Sequence, residues 1–158
     1  MTTAFTLACV QTNATTDMAA NLAAVEAQVR AASAQGADFI ATPENVALLQ
    51  RNFAIAKGQA RPLDDHPAVA RFGALAAELG VWLLAGSIAT LKSDGRLANT
   101  SVLFDDLGAV AASYDKIHLF DVDLPGGRSY RESATYRPGG QAVVAQTPWG
   151  PLGMTVCY

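Results

Sequence analysis

Residues 64–85 run DDHPAVARFGALAAELGVWLLA, and the reading of this stretch decides the fold. Asp64 and Asp65 offer capping oxygens, and Pro67 is tolerated in a first helical turn. Val69, Phe72, Leu75, Ala76 and Leu79 recur at helical spacing as far as Gly80, which suits a helix stop. Val81-Trp82-Leu83-Leu84-Ala85 follows without a polar residue and predicts a strand covered on both faces.

Working outward towards the amino terminus, the same helix-then-strand order appears once more, with a further strand ahead of it. Phe5 to Val10 is a short apolar run that ends at Gln11-Thr12-Asn13, which predicts a strand opening into a loop. From about Asp17, Met18, Leu22, Val25, Val29 and Ala32 form an apolar helical stripe with Asn21, Glu26, Gln28 and Arg30 on other faces, and Gly36 suits the stop. Asp38 to Thr42 predicts a second strand closed by Pro43. Strand, helix, strand, helix, strand is the order of an α/β layer.

Towards the carboxyl terminus the pattern changes. Leu97 to Phe104 and Val110 to Tyr114 are strand-like and flank Asp105-Asp106-Leu107-Gly108, a hairpin turn in which glycine can take positive φ. DVDLPGGRSYRESATYRPGG, residues 121–140, predicts a long loop rather than helix or strand. Two further strands, near Ala142 to Gln146 and Leu152 to Cys157, are joined by a turn at Thr147-Pro148-Trp149-Gly150.

The 158 residues suit one domain. Hydrophobic residues make up 51% and charged ones 16%, the balance of a chain with a buried core. A net charge of −3 with scattered Lys and Arg argues against a nucleic-acid partner. The opening segment lacks the basic and apolar regions of a signal peptide, and no apolar run approaches the roughly 20 residues of a membrane helix. A cytoplasmic protein without membrane association is the expectation. Only two cysteines, Cys9 and Cys157, are present, so a disulfide framework is not expected and a thiol is free for chemistry.

Three ionisable residues stand at the ends of apolar strands: Glu44 after DFIATP, Lys116 after VAASYD, and Cys157 after GMTV. A free thiol has a pKa of about 8.5, so at neutral pH it needs a base or a positive field to become a nucleophile. Glu44 is suited to take the proton, and Lys116 to stabilise negative charge on sulfur and then on a tetrahedral intermediate. Taken singly, each residue also has an ordinary reading: a solvated acid, a surface ion pair, a small core hydrophobe. Cys9, Cys157, His66 and His118 are too scattered for a zinc site, and His118 reads as a structural hydrogen-bonding residue. No metal and no cofactor are called for.

The context of these residues decides between the readings. Ala41-Thr42-Pro43-Glu44-Asn45, Tyr114-Asp115-Lys116-Ile117-His118-Leu119 and Gly153-Met154-Thr155-Val156-Cys157-Tyr158 resemble, in order, the three signature motifs of the nitrilase superfamily of carbon-nitrogen hydrolases. Ala8-Cys9-Val10-Gln11, Gly86-Ser87 and Asn99-Thr100 also resemble family positions, so the likeness spans nearly the whole chain. It implies an αββα sandwich, a Glu44, Lys116, Cys157 catalytic set, and homodimers. It further implies that the Tyr158 backbone NH joins Lys116 in the oxyanion hole. Glu132, in Tyr130-Arg131-Glu132-Ser133, matches a further acid that positions substrate and general base. The run from His118 to Gly127 is similar to the Nit-type amidases, which act on small carboxylated amides such as deaminated glutathione or α-ketoacid ω-amides. Arg128 or Arg131 is a candidate for pairing with the substrate carboxylate, against the alternative, slightly favoured, of an ordinary surface charge.

A complete member of that superfamily continues beyond the Cys-Tyr pair, so the resemblance implies an amino-terminal part truncated after the nucleophile strand. Such a piece would expose apolar strand surface unless a partner covered it. The rival reading is therefore a non-catalytic half domain that acts only by association with another chain. A nucleotide-binding α/β domain is the third reading. It lacks a Gly-rich phosphate turn where Gln11-Thr12-Asn13 stands.

Overall fold

The computed structural model describes residues 4–157. Its centre is a five-stranded mixed sheet in sequence order: β1 (Leu7–Cys9), β2 (Phe39–Ala41), β3 (Trp82–Leu91), β4 (Leu97–Phe104) and β5 (Val110–Asp115). The first three strands are parallel, with Leu7 opposite Phe39 and Phe39 opposite Trp82; β4 and β5 then run antiparallel. Parallel neighbours need crossovers, and the helices α1 (Met18–Ala34) and α3 (Pro67–Leu79) provide them. A further helix, α2 (Phe53–Gln59), was not evident from the residue pattern; its amino end is capped by Asn52, whose side chain accepts from Ala54 N and Ile55 N.

The two faces of the sheet are covered differently. On one, Leu22, Val25 and Val29 of α1 and Phe72, Leu75 and Ala76 of α3 pack with Ile40, Leu83 and Val102. On the other, Phe39, Trp82, Leu103 and Tyr114 pack with Ala145 and Met154 of a hairpin, β8 (Val143–Thr147) and β9 (Gly150–Met154). Trp149 in the hairpin turn closes this face: its ring stacks on Phe5 at 4.7 Å and meets Phe39 and Trp82 edge-on. The described residues thus build a helical layer, a central sheet and a second β layer, the first three layers of an αββα sandwich.

Several local expectations are corrected by the structure. The α3 cap is His66, whose Nδ1 accepts from Ala68 N, while Asp64 and Asp65 lie in a preceding 3₁₀ turn. Burial holds the His66 pKa below its usual value, a neutral ring suited to accepting that bond. Asn21, assigned above to an outer face of α1, is buried. It accepts from Thr15 N and donates to Thr15 O and Ala47 O, fixing α1 to the segment after Glu44. Residues 121–140 are not a plain loop: β6 (Asp121–Asp123) pairs with β7 (Ser129–Arg131), and a 3₁₀ turn, Glu132–Ala134, follows. β9 begins and ends earlier than predicted, so Cys157 stands three residues past the strand rather than on it. The sequence signals failed here because Gly-rich, charged hairpins and short terminal strands carry little hydrophobic periodicity.

Candidate active site

The site is assembled where chain segments leave the sheet. β3 runs through Gly86-Ser87, with its register on β4 shifted between Ala85 and Ile88. Gly86 N donates to Thr42 Oγ1, Asn45 N to Ser87 Oγ, and Val46 N to Ser87 O, which pins the backbone on both sides of Glu44. Asn45 adopts φ 56°, the left-handed turn that redirects the chain immediately after the acid. At Gly86, any Cβ would overlap the carbonyl oxygens of Thr42 and Pro43, so only glycine permits this approach. Gly86→Ala is expected to lower stability by roughly 1–3 kcal/mol through overpacking. By moving Glu44, it is also expected to lower turnover by on the order of 100-fold. Urea unfolding and steady-state kinetics check both.

Lys116 follows β5. Its N–H donates to Asn99 O and its carbonyl accepts from Gly139 N. Gly139 is the second close approach, since a Cβ there would overlap the Asp115 carbonyl oxygen. The Lys116 side chain is 3% exposed and bridges two carboxylates, with Nζ 2.9 Å from Glu44 Oε1 and 3.0 Å from Glu132 Oε2. Burial presses its pKa down, but the hydrogen bonds to Glu44 and Glu132 and their charges outweigh this and hold it above the ordinary lysine value. The ammonium is therefore charged throughout the neutral range.

The two carboxylates are held differently. Both oxygens of Glu132 are engaged: Oε2 accepts from Lys116 and from Phe120 N at 2.6 Å, and Oε1 accepts from Asn99 Nδ2 at 3.4 Å. Glu44 accepts from Asn99 Nδ2 at 2.7 Å and from Lys116 at 2.9 Å, both on Oε1. Glu44 Oε2 accepts no hydrogen bond among the described residues. Asn99 is buried and presents its amide NH₂ to both acids, leaving its own Oδ1 without a partner among the described residues. This second-layer role was not singled out from the sequence; its only signal was the family-like Asn99-Thr100.

Glu44, Lys116, Glu132 and Cys157 line one cavity of about 490 Å³. Cys157 is exposed, has no disulfide partner, and adopts φ 63°, an uncommon backbone state for a residue with a side chain. Tyr136 also lines the cavity, and its burial, reinforced by the charges of Glu132 and Glu44, pushes its pKa up to about 12. The structure does not bring every candidate together. Arg131 lines the cavity, but its guanidinium is bound to Asp123 at 2.6 Å; Arg128 stands outside the lining. Tyr158 lies outside the described residues. His118 makes no side-chain hydrogen bond among the described residues and is exposed, contrary to the structural role expected for it.

A thiol, two carboxylates and a buried ammonium at one cavity are the equipment of covalent carbonyl chemistry. Residues 6–158 match the family described as Carbon-nitrogen hydrolase, and the chain belongs to that family. Among its relatives, it is 44% identical over 142 residues to a deaminated glutathione amidase of Yersinia enterocolitica, covering 87% of this chain and 49% of that protein. It is 31% identical over 158 residues to the omega-amidase NIT2 of Homo sapiens, covering 99% of this chain and 55% of that protein. In fold it resembles Saccharomyces cerevisiae Nit3, a member of branch 10 of the nitrilase superfamily, with a TM-score of 0.81 at 24% identity over 96% of this chain and 55% of that one. The chain spans about half the length of these relatives. Family membership removes the nucleotide-binding reading.

Proposed function

We propose that the protein hydrolyses the amide of a small carboxylated substrate through a Cys157 thioester, as an amidase of the Nit type. The observation that carries this reading is the division of labour around Lys116: Glu132 is fully engaged, whereas Glu44 keeps one oxygen, Oε2, free to move a proton. Glu44 takes the proton from the Cys157 thiol, and sulfur attacks the amide carbonyl carbon. Lys116 has a third N–H beyond those given to Glu44 and Glu132, and it donates this to the developing oxyanion. As the C–N bond breaks, protonated Glu44 returns its proton to nitrogen and ammonia leaves. Glu44 then deprotonates water, which attacks the thioester; the C–S bond breaks, the acid departs, and the proton returns to sulfur. Glu132 acts as a positioning residue, holding Lys116 in place.

The names of the amidase relatives support two substrate types, deaminated glutathione and ω-amides. We place the activity in the cytoplasm and in a homo-oligomer. No helix among the described residues is long and apolar enough to cross a membrane. The test is ammonia release from both amides, together with mass spectrometry of the rapidly quenched protein. The expected result is turnover of at least one amide and a Cys157 adduct whose added mass equals the acyl group. Turnover with no such adduct, in the presence of a burst of ammonia, would sink the thioester step.

A further inference from the structure

The proposed function calls for a carboxylate on the substrate, and the cavity limits where that charge can go. Glu44 and Glu132 repel it from their side. Lys116 is already neutralised by these two acids, and Arg131 is bound to Asp123 and to the Tyr130 carbonyl oxygen. Among the described residues, one further cation lines the same cavity: Arg51. Its guanidinium has no hydrogen bond or ion pair among the described residues. That sets it apart from Arg131, the other arginine in the lining. Arg30, Arg71, Arg131 and Arg137 pair with acids, Arg61 and Arg96 donate to backbone carbonyls, and Arg128 stands outside the lining.

The segment that carries Arg51 is held on both sides. Leu49 N donates to Thr15 O, Asn52 N donates to Gln50 Oε1, and Asn52 caps α2. Its neighbours in the lining, Leu48, Leu49 and Phe53, supply apolar contact for a short carbon chain. A planar, permanently charged guanidinium fits a carboxylate through two parallel hydrogen bonds.

We infer that Arg51 is the specificity-determining residue of the cavity and binds the carboxylate of a short-chain monoamide of a dicarboxylic acid, while the amide end meets Cys157 and Lys116. This rests on the amidase reading above and replaces Arg128 and Arg131 as the carboxylate partner.

The experiment uses the full-length protein and two amides of equal length: a monoamide of a five-carbon dicarboxylic acid, and the neutral amide with methyl in place of its carboxylate. Arg51→Met is expected to raise KM for the carboxylated amide roughly 10- to 100-fold, the worth of a charge-assisted pair, with little change in kcat. The same substitution leaves kcat/KM for the neutral amide unchanged, and Arg51→Lys recovers part of the loss. Calorimetric binding of the five-carbon dicarboxylate, expected to weaken by a similar factor in Arg51→Met, gives a readout that needs no turnover. Equal losses on both amides, or dicarboxylate binding indifferent to Arg51, overturns the inference. Arg51-dependent dicarboxylate binding in a protein that hydrolyses neither amide supports it and sinks the amidase reading instead.

Discussion

Cys157→Ser is expected to lower kcat/KM for the amide substrate by roughly 10⁴-fold or more, as loss of a covalent nucleophile does in enzymes of this kind. The substitution changes one atom and almost no volume, so the loss isolates the chemistry of sulfur. A thiol needs only a modest fall in pKa to supply thiolate at neutral pH, whereas an alcohol is a far weaker acid. A single carboxylate such as Glu44 is poorly matched to an alcohol as a base. Because Cys157 is exposed and free of a disulfide, its replacement is expected to leave stability within about 0.5 kcal/mol. Steady-state kinetics and a urea melt of the same sample test the pair. A serine variant within tenfold of the parent would show that Cys157 is not the nucleophile.

Lys116→Met carries the second large effect, and it acts on fold and activity together. The side chain is 3% exposed and pairs with Glu44 and Glu132, whose side chains are 31% and 15% exposed. Removing it leaves two carboxylates facing each other with no countercharge. Breaking a buried pair from one side costs about 3–5 kcal/mol, and the water that reaches Glu44 places this case near the lower figure. The variant is expected to be folded but less stable by that amount, and to lose turnover by roughly 10³-fold through its oxyanion donor. The pH dependence has a definite sign. The folded-state pKa of Lys116 lies above the value of 10.5 it starts from, so its stabilisation is complete below pH 10.5 and is lost as the pH rises through the higher folded value. Alkaline unfolding should therefore show a smaller gap between parent and Lys116→Met than unfolding at neutral pH. A gap that widens on the alkaline side would contradict the ion-pair assignment.

Much of the central sheet is legible in the residues because its strands are apolar enough to dominate any reading. Val81 to Ala85 and Leu97 to Phe104 are buried nearly throughout, and the helices between strands carry clear stripes. The periphery is less legible. α2 has a single fully buried residue, Ala56, and the β6–β7 hairpin has none, so neither leaves a periodic trace. Of the site, Glu44, Lys116, Glu132 and Cys157 could be singled out because short motifs surround them. Asn99 and Arg51 could not. The first acts through a backbone and side-chain geometry that only the folded sheet creates, and the second is identified by the absence of a partner, which no sequence displays. For Arg131, nearness to Glu132 along the chain does not reveal that Asp123 lies across the hairpin and binds its guanidinium.

The hydrogen bonds of Asn99, the Phe120 amide and Lys116 to the two acids are already formed without substrate. Its dipoles and charges are oriented while the polypeptide folds, so little reorganisation energy remains to be supplied during each turnover. Natural variation that loosens the scaffold should then slow the reaction even where it spares every group that meets the substrate.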